Sequence, residues 1–348
     1  MRAAVLRKGE ILVRDDLPEP VPGPGQVLAQ VKACGICGSD LHFAKHGARM
    51  QALGAQMEGL PPGGSPPVDL DRDVFMGHEF AAEVLELGPG TDTSIAPGAL
   101  VTSVPILPGA DGFDRLVYSN TVMCGYGERI LLAAPLLLEV PNGLPAQHAA
   151  LTEPMAVGLH AVNMAGLEPG DGAVVLGCGP VGLAVIAALR VRGVETIVAA
   201  DLSPLRRRLA ATMGAAITVD PREESSWAAW AGTGSPRPPV VFEAIGVPGI
   251  LNDILRRAPM RSRVVVVGVC MGDDVVNPLF GVSKELSIRF VVGYEPAEFA
   301  ASLRSLAEGE IDVAPLVTDR VGLDQVPWAF GALGDPEGHC KIIVDPAT

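Results

Sequence analysis

The chain has 348 residues, 48% of them hydrophobic and only 4% aromatic, and it carries a formal net charge of −14. That acidity argues against nucleic acid or an anionic membrane as a partner, because either demands a basic face. The six cysteines are too few for a disulfide framework in so long a chain, so reduced thiols and a cytoplasmic setting are expected.

The first 45 residues are β-rich, with short apolar runs at Ala3–Leu6, Ile11–Val13 and Gln26–Ala33 divided by proline and glycine. Met1–Arg7 lacks the apolar core of a signal peptide and reads as a strand. A helix is expected to begin within Cys34–His42, with Ser39 or Asp40 as its cap. Within residues 47–75, Gly59–Pro67 is too rich in proline and glycine for regular structure and reads as a long loop. Strands are expected at Met76–Val84, Leu100–Val101 and Tyr126–Ala133, with residues 105–125 irregular.

From about Leu151 the texture changes to alternating helix and strand. Helices are expected at Thr152–Met164, Pro180–Val191, Pro204–Met213 and Glu298–Ala307. Strands are expected at Ala173–Leu176, Thr196–Ala200, Ile217–Val219, Val240–Ala244, Arg263–Val269 and residues 285–293. This alternation implies a parallel sheet covered by helices on both faces. The longest apolar run, Ala173–Leu189, is broken by glycines and Pro180 and falls short of the ~20 residues that span a bilayer.

The chemistry is clearest at Val174-Val175-Leu176-Gly177-Cys178-Gly179-Pro180-Val181-Gly182. A buried strand runs into a glycine turn and a helix start, and a second strand ends at Asp201. This is the dinucleotide fingerprint in its required context. Gly177 permits the turn, Gly179 lets backbone approach a pyrophosphate, and Gly182 lets helix and strand pack closely. Pro180 and Val181 open the helix whose free N–H groups face the phosphates. Asp201 would accept hydrogen bonds from the adenosine ribose and repel a 2′-phosphate, which favours NAD. Arg206, Arg207 and Arg208 follow closely; Arg206 is taken as cofactor-binding, and a solvated helix face is the ordinary explanation for all three.

Cys37, His78, Glu79 and Glu153 are distant in sequence but chemically suited to zinc, which takes thiolate, imidazole and carboxylate and keeps one position open in a catalytic site. Singly, Cys37 reads as a buried thiol, His78 as a core histidine and Glu153 as a first-turn helix acid.

Taken with the nucleotide fingerprint, the segments Cys34–His42, Gly77-His78-Glu79, Thr152-Glu153-Pro154 and Val241–Gly246 resemble the zinc-dependent alcohol dehydrogenases of the medium-chain dehydrogenase/reductase superfamily. The likeness covers nearly the whole chain, and Glu153-Pro154 is most similar to the polyol (sorbitol and butanediol) branch. It implies a β-rich GroES-like catalytic domain over 1–153 and 293–348 and a Rossmann NAD-binding domain over 154–292, with the active site in the cleft. It implies one catalytic Zn2+ per chain held by Cys37, His78 and a third ligand, either Glu153 or Glu79. Glu79 would otherwise lie just behind the metal as a catalytic acid, and Cys34 would only pack. Ser39 would sit beside the substrate oxygen and His42 at the outer end of a proton relay, while hydride passes between a secondary alcohol or polyol and NAD. The strand Leu286–Val292 resembles the edge along which family dimers join, so a homodimer or homotetramer is expected.

Two departures stand out. Only Cys124 occupies the region where relatives carry four cysteines, so no structural zinc is expected. Cys124, Cys178, Cys270 and Cys340 are expected to pack as small apolar side chains. The segment between His42 and His78 is longer than usual, and Phe43, Met50, Met57 and Phe113 are offered as pocket residues. The competing functions are a zinc-free quinone or enone reductase on the same scaffold, disfavoured by Cys37, His78 and Glu153, and a non-catalytic dinucleotide sensor, disfavoured by Ser39 and His42.

Overall fold

The computed structural model describes residues 1–59, 67–109 and 112–348. The Pro/Gly-rich stretch read as a long loop lies, from 60 to 66, outside the described residues. The chain divides into two compact units: Met1–Glu153 with Val317–Asp335 and Lys341–Thr348, and Pro154–Leu316 with Pro336–Cys340.

The first unit is built on largely antiparallel sheets, with Val317–Val321 and Lys341–Val344 paired in parallel. Its largest sheet runs Leu137–Glu139, Leu100–Ser103, Glu79–Leu87, Gln26–Gly35, Lys341–Val344 and Val317–Val321, with Arg129–Ala133 also paired to Gln26–Gly35. The central strand buries Val27, Ala29, Val31 and Ala33 while Gln30 and Lys32 between them stay half-buried, the alternation of a strand with one face on the core. A smaller sheet orders Glu10–Arg14, Ala3–Arg7, Val74–Met76 and Tyr118–Ser119. Residues 105–125 are therefore not wholly irregular: Ile106–Gly109 pairs with Gly112–Arg115, and Tyr118 pairs with Met76. Prolines 105 and 108 and the glycines mask the alternation by which strands are read from sequence.

The helix Gly38–Gly54 also corrects the sequence reading. Its N-cap is Cys37, while Asp40 lies inside the first turn and accepts the Cys37 N–H at 3.2 Å. The helix continues through residues 47–54, bending at His46.

The second unit carries six parallel strands in the order Ile217–Val219, Ile197–Ala200, Ala173–Leu176, Val240–Glu243, Arg263–Val266 and Ser287–Phe290. This is a doubly wound sheet whose order reverses between Ala173–Leu176 and Val240–Glu243. Val174, Val198, Val241 and Val264 are all at most 1% exposed, which explains the unbroken apolar runs. The sequence reading carried residues 293–316 with the first unit, but packing sets them in the second. Helix Pro296–Ala307 buries Phe299, Leu303 and Leu306, and its Glu298 accepts from Asn163 at 2.7 Å and meets His160 Nδ1 at 2.8 Å. Among the described residues no helix is long and apolar enough to cross a membrane.

Candidate active site and dinucleotide site

In the second unit the fingerprint stands at the sheet's reversal point. Gly177 ends its strand with φ +91°, and a Cβ there would meet the Ala244 carbonyl at 2.8 Å, so the two loops touch backbone to backbone. A Cβ on Gly182 would collide with the Gly177 carbonyl, whereas one on Gly179 meets nothing within 4 Å. Gly177 and Gly182 thus shape the turn itself, and Gly179 leaves open space at the N-cap of helix Pro180–Val191. There the first-turn N–H groups lack intrahelical partners and favour an anion.

Two acids, half-buried Asp201 and buried Glu243, brace these loops. Asp201 accepts the N–H groups of Cys178 at 2.7 Å and Ser203 at 2.8 Å. Glu243 accepts those of Ile245 at 2.7 Å and Gly246 at 2.8 Å. Beside them lies a cavity of about 530 Å³ whose lining includes Gly177, Asp201, Arg206, Trp227 and Ile245, within the usual size for a ligand pocket. The three arginines separate. Arg207 pairs with Asp220 at 3.0 Å and Arg208 is exposed. Arg206 lines the cavity, its Nε buried with no hydrogen-bond partner among the described residues.

In the first unit Cys37 opens a helix, and Ser39 and His42 follow at i and i+3 on adjoining turns. His78 is 6% exposed and adjoins the Cys37 thiol. Its Nδ1 faces Asp40 Oδ1 at 3.6 Å, too far for a hydrogen bond, and both atoms are buried with no hydrogen-bond partner among the described residues. Burial alone would depress the His78 pKa, but Asp40, Cys37 and Glu153 outweigh it and hold the pKa well above the usual imidazole range. The surroundings therefore favour positive charge at this ring. His42 is exposed yet partly desolvated; that desolvation, then His46 and Lys45, lowers its pKa.

Glu79 is placed differently from the expectation of a zinc ligand or catalytic acid. It is wholly buried, and Lys341 Nζ donates to both of its oxygens at 2.7 Å and to the Ile36 carbonyl at 3.0 Å. The carboxylate is held by an ion pair behind the site, because an unpaired buried charge would be far costlier. Sequence reasoning missed Lys341 and gave Asp40 only a capping role. A charged residue opening the apolar run Lys341-Ile342-Ile343-Val344 was the available signal, since buried lysines require a partner.

Phe43 is a core residue, 3% exposed, and stacks on Tyr118 with ring centroids 3.9 Å apart. Met50 packs against the same core, while Met57 and Phe113 are exposed. Of the remaining cysteines, 34, 124, 178 and 340 are buried, and Cys270 is only half-buried.

Among the described residues, no three His, Cys, Asp or Glu side chains are gathered closely enough to make a metal cage. The donor set nevertheless suits zinc in kind: a thiol and an imidazole adjoin, a carboxylate backs the imidazole, and Glu153 acts electrostatically on the same ring.

Comparison with known proteins finds a family match in each unit. Residues 23–153 match the alcohol dehydrogenase GroES-like domain, and residues 180–308 match the zinc-binding dehydrogenase domain. The (R,R)-butanediol dehydrogenase of Bacillus subtilis is 32% identical over 99% of this chain and 100% of its own. The sorbitol dehydrogenase of the same organism is 28% identical over 99% of this chain and 97% of its own. A Sinorhizobium meliloti structure assigned to the zinc-binding dehydrogenases, solved with NADP bound, superposes with a TM-score of 0.80 at 28% identity, covering 99% of each chain. With its GroES-like and nucleotide-binding units both matched and its full length shared with such relatives, this chain belongs to the zinc-type alcohol and polyol dehydrogenases of the medium-chain superfamily.

Proposed function

We propose that the protein oxidises a secondary alcohol or vicinal diol reversibly, with NAD as hydride acceptor and one zinc held by Cys37, His78 and Glu153. The observation that carries this reading is the Cys37–His78 pair backed by buried Asp40 at the start of the helix bearing Ser39 and His42. When bound, zinc lowers the pKa of an alcohol oxygen and the nicotinamide takes the hydride.

The chain's own residues handle the rest. Ser39, two residues after Cys37, offers a hydroxyl to receive the alcohol proton. His42 stands one turn further along the same helix, and its lowered pKa keeps the ring neutral and able to accept that proton. Glu79, fixed by Lys341, supports the site from behind. In the other unit Asp201 supplies a carboxylate at the cavity, which supports NAD over NADP. The exposed edge strand Ser287–Phe290, with Phe290 69% and Val292 88% exposed, supports a homodimer or homotetramer.

The test is metal content per chain by elemental mass spectrometry, on protein purified without chelator, followed by turnover of butane-2,3-diol and butan-2-ol with NAD and NADP. About one zinc per chain and NADH formation exceeding NADPH formation are expected. A chain that stays metal-free after zinc is resupplied and turns over neither alcohol overturns the reading.

A further inference from the structure

Tyr126 is the side chain around which the first unit's site is clamped, and the function derived above leaves it without a role. It is 2% exposed, and its hydroxyl donates to Asp40 Oδ2 at 2.6 Å, with the Gly35 carbonyl more distant at 3.4 Å. The Cys37 N–H also reaches Oδ2. Both bonds fall on one carboxylate oxygen, so Oδ1 alone is left to face His78 Nδ1.

The ring acts on the other side of the same pair. Gly77, immediately before His78, has φ +98°, and a Cβ there would stand 2.8 Å from the Tyr126 ring. The Tyr126 N–H donates to the Met76 carbonyl at 3.1 Å, and the Gly125 N–H to that of Gly77 at 2.8 Å. Phe330 closes the far side in an edge-on contact at 6.1 Å. One residue thus touches the helix start that carries Cys37 and the turn that carries His78.

We infer that Tyr126 is a positioning residue for the metal site: it fixes the Asp40 carboxylate, and through it the ring orientation and tautomer of His78. A histidine whose Nδ1–H is directed to a carboxylate presents Nε2 to a metal, and outer partners of this kind set metal affinity. The inference rests on reading Cys37 and His78 as metal ligands.

The experiment is competition for Zn2+ against a chromophoric chelator, and the visible spectrum of the Co2+-substituted full-length chain. It compares wild type with Tyr126→Phe, Asp40→Asn and the double variant. Tyr126→Phe keeps the ring and removes only the hydroxyl. It is expected to weaken zinc binding on the order of 10-fold and to change the Co2+ spectrum. In the Asp40→Asn background the same change is expected to move affinity less than about twofold, because residues acting through one another are not additive.

A wild-type chain that binds no metal sinks the functional reading itself. Wild-type affinity and spectrum in Tyr126→Phe, or an equal loss in both backgrounds, overturns the inference while leaving that reading intact. If Tyr126→Phe folds only when Asp40 is also replaced, the coupling is upheld. If neither variant folds, Tyr126 is a core filler and the inference fails.

Discussion

The two sites are made from different material. The dinucleotide site is chiefly backbone: glycine turns, a helix start, and amides gathered by Asp201 and Glu243. The proposed metal site is chiefly buried side chains held together by hydrogen bonds and charge: Tyr126 on Asp40, Asp40 facing His78, and Lys341 on Glu79. A backbone site fails when an atom is added where the chain must approach itself. A charge-paired site fails when a partner is removed and its counterpart stays buried.

The largest expected effect breaks the charge-paired side. Lys341→Met strands a wholly buried Glu79 and is expected to cost about 3–5 kcal/mol of stability, read as a shift in denaturant midpoint. Adding Glu79→Gln should restore most of it. A single variant as stable as wild type would mean that the pair contributes nothing to this fold.

A smaller effect sharpens the backbone side, where two glycines of one motif should part company. Gly182→Ala drives a methyl into the Gly177 carbonyl and should lower both melting temperature and NADH affinity. Gly179→Ala meets nothing in the free chain, so its melting temperature should stay within about 2 °C while the NADH Kd rises about tenfold. Equal thermal losses in the two variants would show that Gly179 also shapes the turn.

The smallest effect concerns pH. In the proposed relay the neutral His42 ring accepts the proton, and its pKa is lowered, so neutral His42 persists to lower pH than an ordinary histidine. Alcohol oxidation should therefore decline only as pH falls through that lowered value. His42→Gln should remove this limb and slow oxidation on the order of 10-fold. A profile unchanged by the substitution would take His42 out of the relay.

This contrast also explains what the sequence disclosed. The backbone site was legible because its parts are neighbours: Gly177, Gly179 and Gly182 lie within one turn and Asp201 ends the next strand. Cys37, His78 and Glu153 stand out as ligand candidates only as members of a resembled pattern, since nothing local distinguishes a ligand cysteine from a packed one. Tyr126 and Lys341 were missed because their partners lie 86 and 262 residues away, and no periodicity records a pairing at that range. The hairpin at 106–115 was missed because proline and glycine hide its alternation. The pairing of Glu79 was hidden in the same way, because Lys341, which donates to both of its oxygens, lies on the tail strand.

That tail strand has a consequence for biosynthesis. Lys341–Val344 pairs with Gly35 and Cys34 near the site, yet the whole second unit separates it in chain order from residues 1–153. During vectorial synthesis the nascent segment 1–153 holds Glu79 without its counter-charge while residues 154–340 emerge, most of them belonging to the second unit and free to fold as a body of their own. The Glu79–Lys341 pair can close only after translation has passed Lys341, which makes the completion of the first unit a late event in the life of the chain.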